Sequence, residues 1–390
     1  MTTQVLSIKV SKCEFDVSFL EFILLQTSLE ELAIHDTSIT TLNSDEHMNQ
    51  IKFPLKKVSL HKSPYFLQHA LNITTFADKI APALEEVELG LIYPFSHIVY
   101  EEIFKKSHKL QVLDIFIKYA PKASKLYRKL IPNHSLKELF IQDYKSKYEE
   151  ILKGLIVNAP NLETLNIRGD GISKDLLHFI SISLPNLKQL FAGLPYGPLG
   201  DIKLSSLTTI VVRNLKKLVP DWTGICNAMP NIKAFAFKDN YDRSLGLGDS
   251  TIKVCTENWN KLEVVNFLNV QLSDVELILK NCVDIKSVVT CAFPDDQEAS
   301  AAIQAIEKNG RRLVHIVPRR QSLIYKYHKS LWDDSLGRND AIGSLEDEDV
   351  ECTRQQAVEL AYLQSDDFSR TCPPNVLESL MQAILGNSSN

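Results

Sequence analysis

One apolar pattern recurs in a fixed frame along most of this chain and constrains its fold more than any other feature. Its clearest copy is LETLNI, which starts at Leu162 and returns as LKQLFA at Leu187. Leu6 and Ile8 hold the frame of one copy, and the others start at Leu29, Leu55, Leu84, Leu110, Leu136, Leu207, Ile232, Leu262, Ile285 and Leu313. The spacings are mostly 23 to 30 residues, with one of 20. Self-similarity at such a period indicates a repeat protein.

Each repeat predicts one strand followed by one helix. The frame alternates apolar and variable residues over its last positions, which suits a strand with one buried face. After LETLNI, the apolar residues that share one helical face are Ile172, Leu176, Leu177, Ile180 and Leu184. Ser173 precedes this run as a predicted helix cap. Stacked copies bury a face that one unit cannot, so we predict an α/β solenoid of about 13 repeats, curved, with a parallel inner sheet and helices outside.

The repeats resemble those of the leucine-rich repeat family, and the resemblance covers roughly residues 3 to 318. The segment QLSDVELILKNC ends at Cys282 and is similar to the cysteine-containing, ribonuclease-inhibitor-like subtype found in F-box/leucine-rich-repeat proteins. Ala159, Leu184 and Met229 occupy that cysteine position in other repeats. The resemblance implies a leucine-rich-repeat solenoid that recognises proteins as the substrate receptor of an SCF-type ubiquitin ligase. No F-box pattern is visible in this chain.

The repeat pattern also predicts the domain organisation. Residues 1–320 form the solenoid, in which 194–206 replaces a helix with irregular chain rich in Gly and Pro. Residues 321–336 are expected to form a C-terminal capping helix. The acidic segment 337–352 is predicted to be a solvated linker, and residues 353–390 are predicted to form a tail with short helices.

Composition argues against several classes of protein, although a local basic patch remains compatible with it. Lys plus Arg (43) nearly balance Asp plus Glu (48), so no strong field favours nucleic acid or an anionic membrane as a partner. Seven cysteines without CxxC pairs favour a reducing compartment over a disulfide framework. Charges at Lys9, Lys12, Glu14 and Asp16 interrupt any signal peptide, and no apolar run is long enough to span a membrane. We predict a cytoplasmic protein, with the nucleus as an alternative.

The sequence offers no pattern that predicts catalysis, a metal or a cofactor. GxSxG and HExxH are absent, and Gly246-Leu247-Gly248 lacks the context of a phosphate-binding loop. His35 and His61 fall at equivalent positions of adjacent repeats, but two histidines without a third ligand are a weak metal signal. We therefore predict that the protein is not an enzyme and holds no metal and no cofactor.

The frame also predicts which residues face the inner side of the sheet. Residues that alternate with the frame form a middle column from Ser7 through Ala33, Ser59, Glu88, Asp114, Phe140, Asn166, Phe191, Val211, Ala236 and Asn266 to Val289. The next column runs from Lys9 through His35, His61, Gly90, Phe116, Gln142, Arg168, Gly193, Arg213, Lys238 and Leu268 to Cys291. Aromatic residues beside cations are typical of protein-binding hot spots. The predicted partner-binding residues are Phe116, Phe140, Asn166, Arg168, Phe191, Val211, Arg213 and Lys238.

Two other interpretations of these residues remain open. The aromatic side chains can pack against their neighbours on adjacent strands, or a tail can fold over them. Upstream, Glu31, Glu86, Glu88, Asp114 and Glu138 predict an acidic zone on the same face.

The predicted function is a non-catalytic scaffold that binds a protein on its concave face. The resemblance implies the substrate-recognition part of an SCF-type ubiquitin ligase, with its adaptor held through a missing or diverged N-terminal region. A structural or assembly adaptor of the cytoskeleton or axoneme, without a ubiquitin role, is the alternative. A GTPase-regulating repeat protein is a third, for which no matching arginine loop is found.

Overall fold

The structure is a computed structural model of the 390-residue chain. It describes residues 6–11, 14–15, 28–35, 38–39, 55–61, 80–89, 104–116, 132–213, 221–238, 249–269, 272–285, 287–292, 301, 305 and 312–315. The chain divides into two compact units, Met1–Leu262 and Glu263–Asn390. The predicted solenoid range 1–320 therefore includes the first unit and the start of the second. The predicted capping helix, acidic linker and tail, from residue 321 onward, lie outside the described residues.

The first unit is built on parallel strands. They are β1 (Ser7–Ser11), β2 (Glu14–Phe15), β3 (Glu31–His35), β4 (Ser38–Ile39), β5 (Lys57–His61), β6 (Glu86–Leu89), β7 (Val112–Phe116), β8 (Glu138–Tyr144), β9 (Thr164–Gly169), β10 (Gln189–Ala192), β11 (Thr209–Arg213) and β12 (Ala234–Lys238). β2 and β4 pair with each other. The rest lie side by side in chain order, each parallel to the next.

The second unit contains three further described strands. β13 (Val264–Asn269), β14 (Ser287–Ala292) and β15 (Arg312–His315) are parallel and paired in that order. Apart from β2 and β4, each strand supplies the frame of one repeat, so the main sheet of each unit grows by one strand per repeat.

The frame residues form the core, as predicted. In β9 the side chains of Leu165 and Ile167 are fully buried. Leu165 lies in register with Leu139 on one side and Leu190 on the other, so equivalent leucines stack from strand to strand. Burying one such side chain stabilises the fold by about 1.5–3 kcal/mol. The apolar stack therefore holds neighbouring repeats together.

Helices follow several of the strands. The first unit has α1 (Glu149–Val157), α2 (Lys174–Ser183), α3 (Trp222–Ala228) and α4 (Asp249–Asn258), and the second has α5 (Leu272–Asn281). Short 3₁₀ turns cover Ala81–Ala83 and Ser146–Tyr148. The predicted cap of α2 is confirmed, because the Ser173 Oγ accepts a hydrogen bond from the Leu176 N–H at 2.9 Å. The same hydroxyl donates to the Glu149 carboxylate of α1 at 2.7 Å, which ties two repeats together.

The segment 194–206 has no helix, as the sequence predicts. Gly197 turns the chain with a φ of 80°. Leu199, Ile202 and Leu204 are buried and take over the core positions that helical side chains fill in neighbouring repeats. The shortest repeat therefore closes its part of the core with an irregular segment.

A repeated hydrogen-bond pattern marks the start of successive strands in the main sheet of the first unit, up to β12. The carbonyl oxygen of Glu163, just before β9, accepts hydrogen bonds from the N–H groups of Lys188 and Gln189 at 2.8 and 2.9 Å. The same doubly accepting carbonyl occurs at Leu6, Glu30, Lys56, Glu85, Gln111, Lys137, Lys188 and Thr208. We call this series the carbonyl ladder. It fixes the register of each repeat against the previous one.

The first strand corrects one sequence prediction. The frame placed Leu6 and Ile8 at the positions of Leu32 and Ile34, but the register pairs Ile8 with Leu32 and Val10 with Ile34. Lys9, not Ser7, therefore lies beside Ala33.

Parallel strands in chain order, one per repeat, with buried frame residues and connecting helices, confirm the predicted fold class. The protein is an α/β leucine-rich-repeat solenoid. None of the described helices combines the length and hydropathy needed to cross a lipid bilayer.

Candidate protein-binding face

The structure brings the predicted middle column into continuous register. Across β7 to β12 the adjacent residues are Asp114, Phe140, Asn166, Phe191, Val211 and Ala236, which we call the inner row. These residues alternate along each strand with the frame residues of the core, so they lie on the opposite face of the sheet, the inner face. The predicted neighbours Phe140, Asn166 and Phe191 are therefore side by side.

The apolar residues of the inner row are not an open surface. Phe140, Phe191 and Val211 are only 2%, 3% and 1% exposed. Their burial corrects the prediction that the aromatic side chains are displayed on the concave face, and it supports the interpretation in which they pack against their neighbours. A role of these residues in binding a partner stays a prediction.

Asn166 lies at the centre of the inner row and is fully buried, at 0% exposure. Neither the Nδ2 nor the Oδ1 atom of its carboxamide has a hydrogen-bond partner. Its neighbours in register are the two aromatic residues, Phe140 and Phe191. A buried carboxamide carries two donor hydrogens and an acceptor, and native proteins satisfy most such groups. Asn166 is thus the most unusual polar group on this face.

The remaining predicted residues lie near the carboxyl ends of the strands. Arg213 and Lys238 are in register with each other, and Phe116 is in register with Gln142. The side chains of Phe116, Arg213 and Lys238 lie outside the described part of the structure. Arg168 is half-buried, and a register shift between Ile141 and Tyr144 interrupts the pairing of β8 with β9 beside it. Arg168 therefore does not continue a regular row with Gln142.

At its other end the inner row becomes polar. Asp114 is buried, and its Oδ2 atom accepts a hydrogen bond from the Gln142 side chain at 2.8 Å. Glu88 lies in register with Asp114 and accepts a hydrogen bond from the Ser59 hydroxyl at 2.7 Å. The Ser59 hydroxyl is also 2.6 Å from the His35 Nε2 atom. The Asp114–Gln142 hydrogen bond joins β7 and β8, and the other two contacts link β3, β5 and β6, so together they organise the polar part of the face.

The predicted acidic zone is smaller than the sequence indicates. Glu86 forms an ion pair with Lys57 at 2.9 Å, and that hydrogen bond raises the pKa of the lysine above its ordinary value. Glu31 pairs with Lys9 at 3.1 Å. Burial acts to raise the pKa of Glu31, but hydrogen bonds from Ser7 and Lys9 outweigh it and leave the pKa below its ordinary value. These two carboxylates are therefore neutralised within the sheet.

The polar residues near His35 are arranged as sheet contacts. His35 and His61 are in register on adjacent strands, as the sequence predicts. Within the described part of the protein, no group of three or more His, Cys, Asp or Glu side chains is arranged to hold a metal ion. The Ser59 hydroxyl lies between His35 and Glu88 and donates to the carboxylate, so it is engaged in the sheet.

Sequence reasoning missed the two most informative polar features of this face. It placed Asn166, Asp114 and Gln142 in the right columns but gave no signal that the Asn166 carboxamide lacks a partner. The Asp114–Gln142 hydrogen bond joins residues of different columns on adjacent strands. The signal in the sequence is a pair of polar residues that lie in adjacent columns on neighbouring strands.

The class of protein is thus defined by its fold, and comparisons add little to it. Neither a protein-family model nor a curated protein matches the chain. A chain in the crystal structure of the yeast Rad7–Elc1 complex is similar to this protein, with 12% identity and a TM-score of 0.45. The match covers 79% of this chain and 72% of the chain in that complex. The structure of a TLR13–ssRNA13 complex matches 80% of this chain but 43% of that one, with 15% identity and a TM-score of 0.47. Likenesses at this level assign no function to this protein.

Proposed function

We propose that the protein is a non-catalytic scaffold that binds a protein partner on the inner face, with Asn166 at the centre of the contact. The observation that supports this most strongly is the buried Asn166 carboxamide without a hydrogen-bond partner. Leaving a buried polar group unsatisfied costs about 1–3 kcal/mol, which an apolar residue at the same place avoids. A polar residue kept at such a cost favours a role in binding.

The main chain of one extended partner residue matches this carboxamide. The carbonyl of that residue accepts from Nδ2 and its N–H donates to Oδ1, so one residue satisfies both atoms. Phe140 and Phe191 flank Asn166 and are buried in the free protein. We infer that their rings change rotamer when the partner binds, as interface side chains commonly do. The aromatic rings then cover the new hydrogen bonds and exclude water from them.

The residues at the strand ends extend the proposed contact. Arg168, Arg213 and Lys238 follow the inner-row residues of their strands by two positions, and Phe116 is in register with Gln142. Glu88 and Asp114 supply carboxylates at the other end. A partner that presents acidic groups to the arginines and a basic group to the carboxylates fits this arrangement.

Site-specific crosslinking in cells tests the proposed surface. The photoreactive residue p-benzoylphenylalanine replaces Phe140 in the full-length protein, and the matched control replaces Phe179 of α2. We expect one crosslinked protein with Phe140 replaced and not with Phe179 replaced. That protein is identified by mass spectrometry and purified.

Binding of the purified partner then tests Asn166 itself. We expect Asn166→Leu to weaken binding at least about tenfold, as the loss of buried interface hydrogen bonds does. The control Asn161→Leu changes an exposed turn residue that donates to the His134 carbonyl, and it should leave affinity unchanged. Equal affinity of wild type and Asn166→Leu, measured by calorimetry, contradicts the proposal.

The resemblance of the repeats to F-box/leucine-rich-repeat proteins supports a narrower role as the substrate receptor of an SCF-type ubiquitin ligase. The seven cysteines of the sequence form no CxxC pair, which supports a reducing, cytoplasmic location. Copurification of a cullin and its adaptor with the full-length protein is the expected result. Recovery of a stoichiometric cytoskeletal or axonemal partner without them favours the structural adaptor instead.

A further inference from the structure

The strand β1 ends the sheet of the first unit. Its residues pair with β3, and among the described residues no strand lies on its other side. Sheet edges offer unpaired backbone groups that an extended segment of another protein can use.

The core beneath β1 is less covered than the core beneath later strands. Ile8 and Val10 are half-buried, whereas Leu32 and Ile34, which lie in register with them, are buried. Leu6, just before β1, is 55% exposed. An added strand with apolar residues toward the core covers these three side chains, as each strand covers its neighbour elsewhere in the sheet.

On the side that faces β3, the backbone of β1 forms hydrogen bonds. The Leu6 carbonyl accepts hydrogen bonds from the Glu30 and Glu31 N–H groups at 2.9 and 3.1 Å. In a parallel sheet the N–H and C=O of one residue point to the same neighbour, and successive residues alternate. The groups of Leu6, Ile8 and Val10 therefore point to β3, and those of Ser7 and Lys9 point outward.

Charge alternates across the strands that follow β1. Lys9 pairs with Glu31 at 3.1 Å, and Lys57 pairs with Glu86 at 2.9 Å. The Lys9 side chain remains 66% exposed. Lys9 meets Glu31 diagonally, one row away in the register, and its exposed ammonium group favours a further carboxylate on the next strand. A second copy of this protein fits poorly, because a two-fold axis at the edge brings two Lys9 ammonium groups to the same face.

We propose that the outer edge of β1 binds an extended acidic segment of a partner protein, which adds to the sheet as a new strand. Its backbone pairs with Ser7 and Lys9, its apolar residues cover Leu6 and Ile8, and its carboxylates meet Lys9. This surface is separate from the inner face around Asn166, so either proposal can fail without the other.

Synthetic peptides test the edge directly on the full-length protein. The first probe is a seven-residue peptide in which valine alternates with glutamate, and the second has lysine in place of glutamate. In fluorescence anisotropy with labelled peptides, the acidic peptide should bind with a Kd below about 1 mM. The basic peptide should bind at least about tenfold more weakly, because like charges then meet at Lys9.

Variants of the protein and of the peptide locate the contact. Lys9→Glu should reverse the preference between the two peptides, whereas the control Lys109→Glu, at an exposed lysine outside β1, should not. An acidic peptide with N-methylated valines should not bind, since its core-facing residues can no longer donate backbone hydrogen bonds to β1.

Three results overturn the proposal. The first is no binding of the acidic peptide to a protein that is folded by circular dichroism. The second is binding that Lys9→Glu leaves unchanged. The third is a dimer in sedimentation experiments that the acidic peptide dissociates, because the edge then pairs with a second copy.

Discussion

Gly169 packs against the backbone of Tyr144 so closely that a Cβ atom at residue 169 would lie 2.1 Å from the Tyr144 carbonyl oxygen. The two residues are in register just after the irregularity in β8, and the Tyr144 carbonyl also accepts a hydrogen bond from the Asp170 N–H at 2.8 Å. Gly169 has a φ of 133°, which residues with a Cβ rarely adopt. The close contact and the backbone conformation both require glycine.

Gly169→Ala should destabilise the fold by roughly 3 kcal/mol, because it introduces both a clash and a strained backbone. The matched control is Gly197→Ala, where φ is 80° but no atom lies within 4 Å of the added Cβ. This control should cost about 1 kcal/mol. Urea unfolding followed by circular dichroism measures both, and equal losses contradict the role of the Tyr144 contact.

Asn166→Leu should raise the free energy of unfolding by about 1 kcal/mol, because it removes a buried carboxamide that has no partner. Asn133 is the matched control, since it is also buried but its Nδ2 donates to the Ser107 carbonyl at 2.8 Å and its Oδ1 accepts from the Leu136 N–H at 3.2 Å. Asn133→Leu should lower stability by about 2 kcal/mol. Thermal unfolding of both variants checks the opposite signs. A loss of stability in Asn166→Leu indicates that the carboxamide is satisfied in the folded protein.

Glu163→Gln should lower stability at neutral pH by about 0.5 kcal/mol, the value of a surface ion pair. Hydrogen bonds from Lys137 at 2.9 Å and Lys188 at 2.6 Å hold the pKa of Glu163 below its ordinary value of 4.5. Because the folded-state pKa is lowered, this stabilisation is complete above pH 4.5 and is lost as the pH falls through the folded-state pKa. The difference between wild type and variant should therefore disappear in acid and shrink in high salt. A difference that persists in acid points to packing instead of charge.

Tyr144→Phe should not lower stability at neutral pH, because the buried Tyr144 hydroxyl has no hydrogen-bond partner. Burial, and then the charges of Glu149 and Asp170, raise the pKa of this phenol above its ordinary value of 10. The raised folded-state pKa means that stability is constant below pH 10 and falls as the pH rises above it, because the unfolded state ionises first. The variant should lose this alkaline sensitivity. Unfolding measured from pH 8 to 11 tests it, and identical profiles contradict the assignment to Tyr144.

The sequence predicts the core of this protein well because the core depends on spacing. The positions of Leu165 and Ile167, the cap at Ser173 and the irregular segment 194–206 all follow from apolar periodicity and turn residues. Adjacency within the inner row follows too, since strands of equal phase place equivalent residues side by side.

The spacing does not predict the burial of side chains on the inner face or the register of the first strand. Alternation shows which face Phe140 and Phe191 occupy, but not how tightly that face is packed, so their burial was not predictable. In β1, a shift of the frame by two residues keeps every side chain on the same face of the sheet. The pattern therefore fits equally well whether the last two frame positions are Leu6 and Ile8 or Ile8 and Val10. The hydrogen bonds from Glu30 and Glu31 to the Leu6 carbonyl decide between them.

The carbonyl ladder bears on how a protein of this kind varies in length. Each doubly accepting carbonyl, such as that of Glu163, receives its two donors from whichever strand comes next. Loss or duplication of a whole repeat therefore presents an equivalent pair of N–H groups to the same oxygen, and the phase of every later strand is kept. Removing one residue within a strand breaks that phase at once. The array is therefore built to vary by complete units, and genetic gain or loss of repeats is its least disruptive path of change.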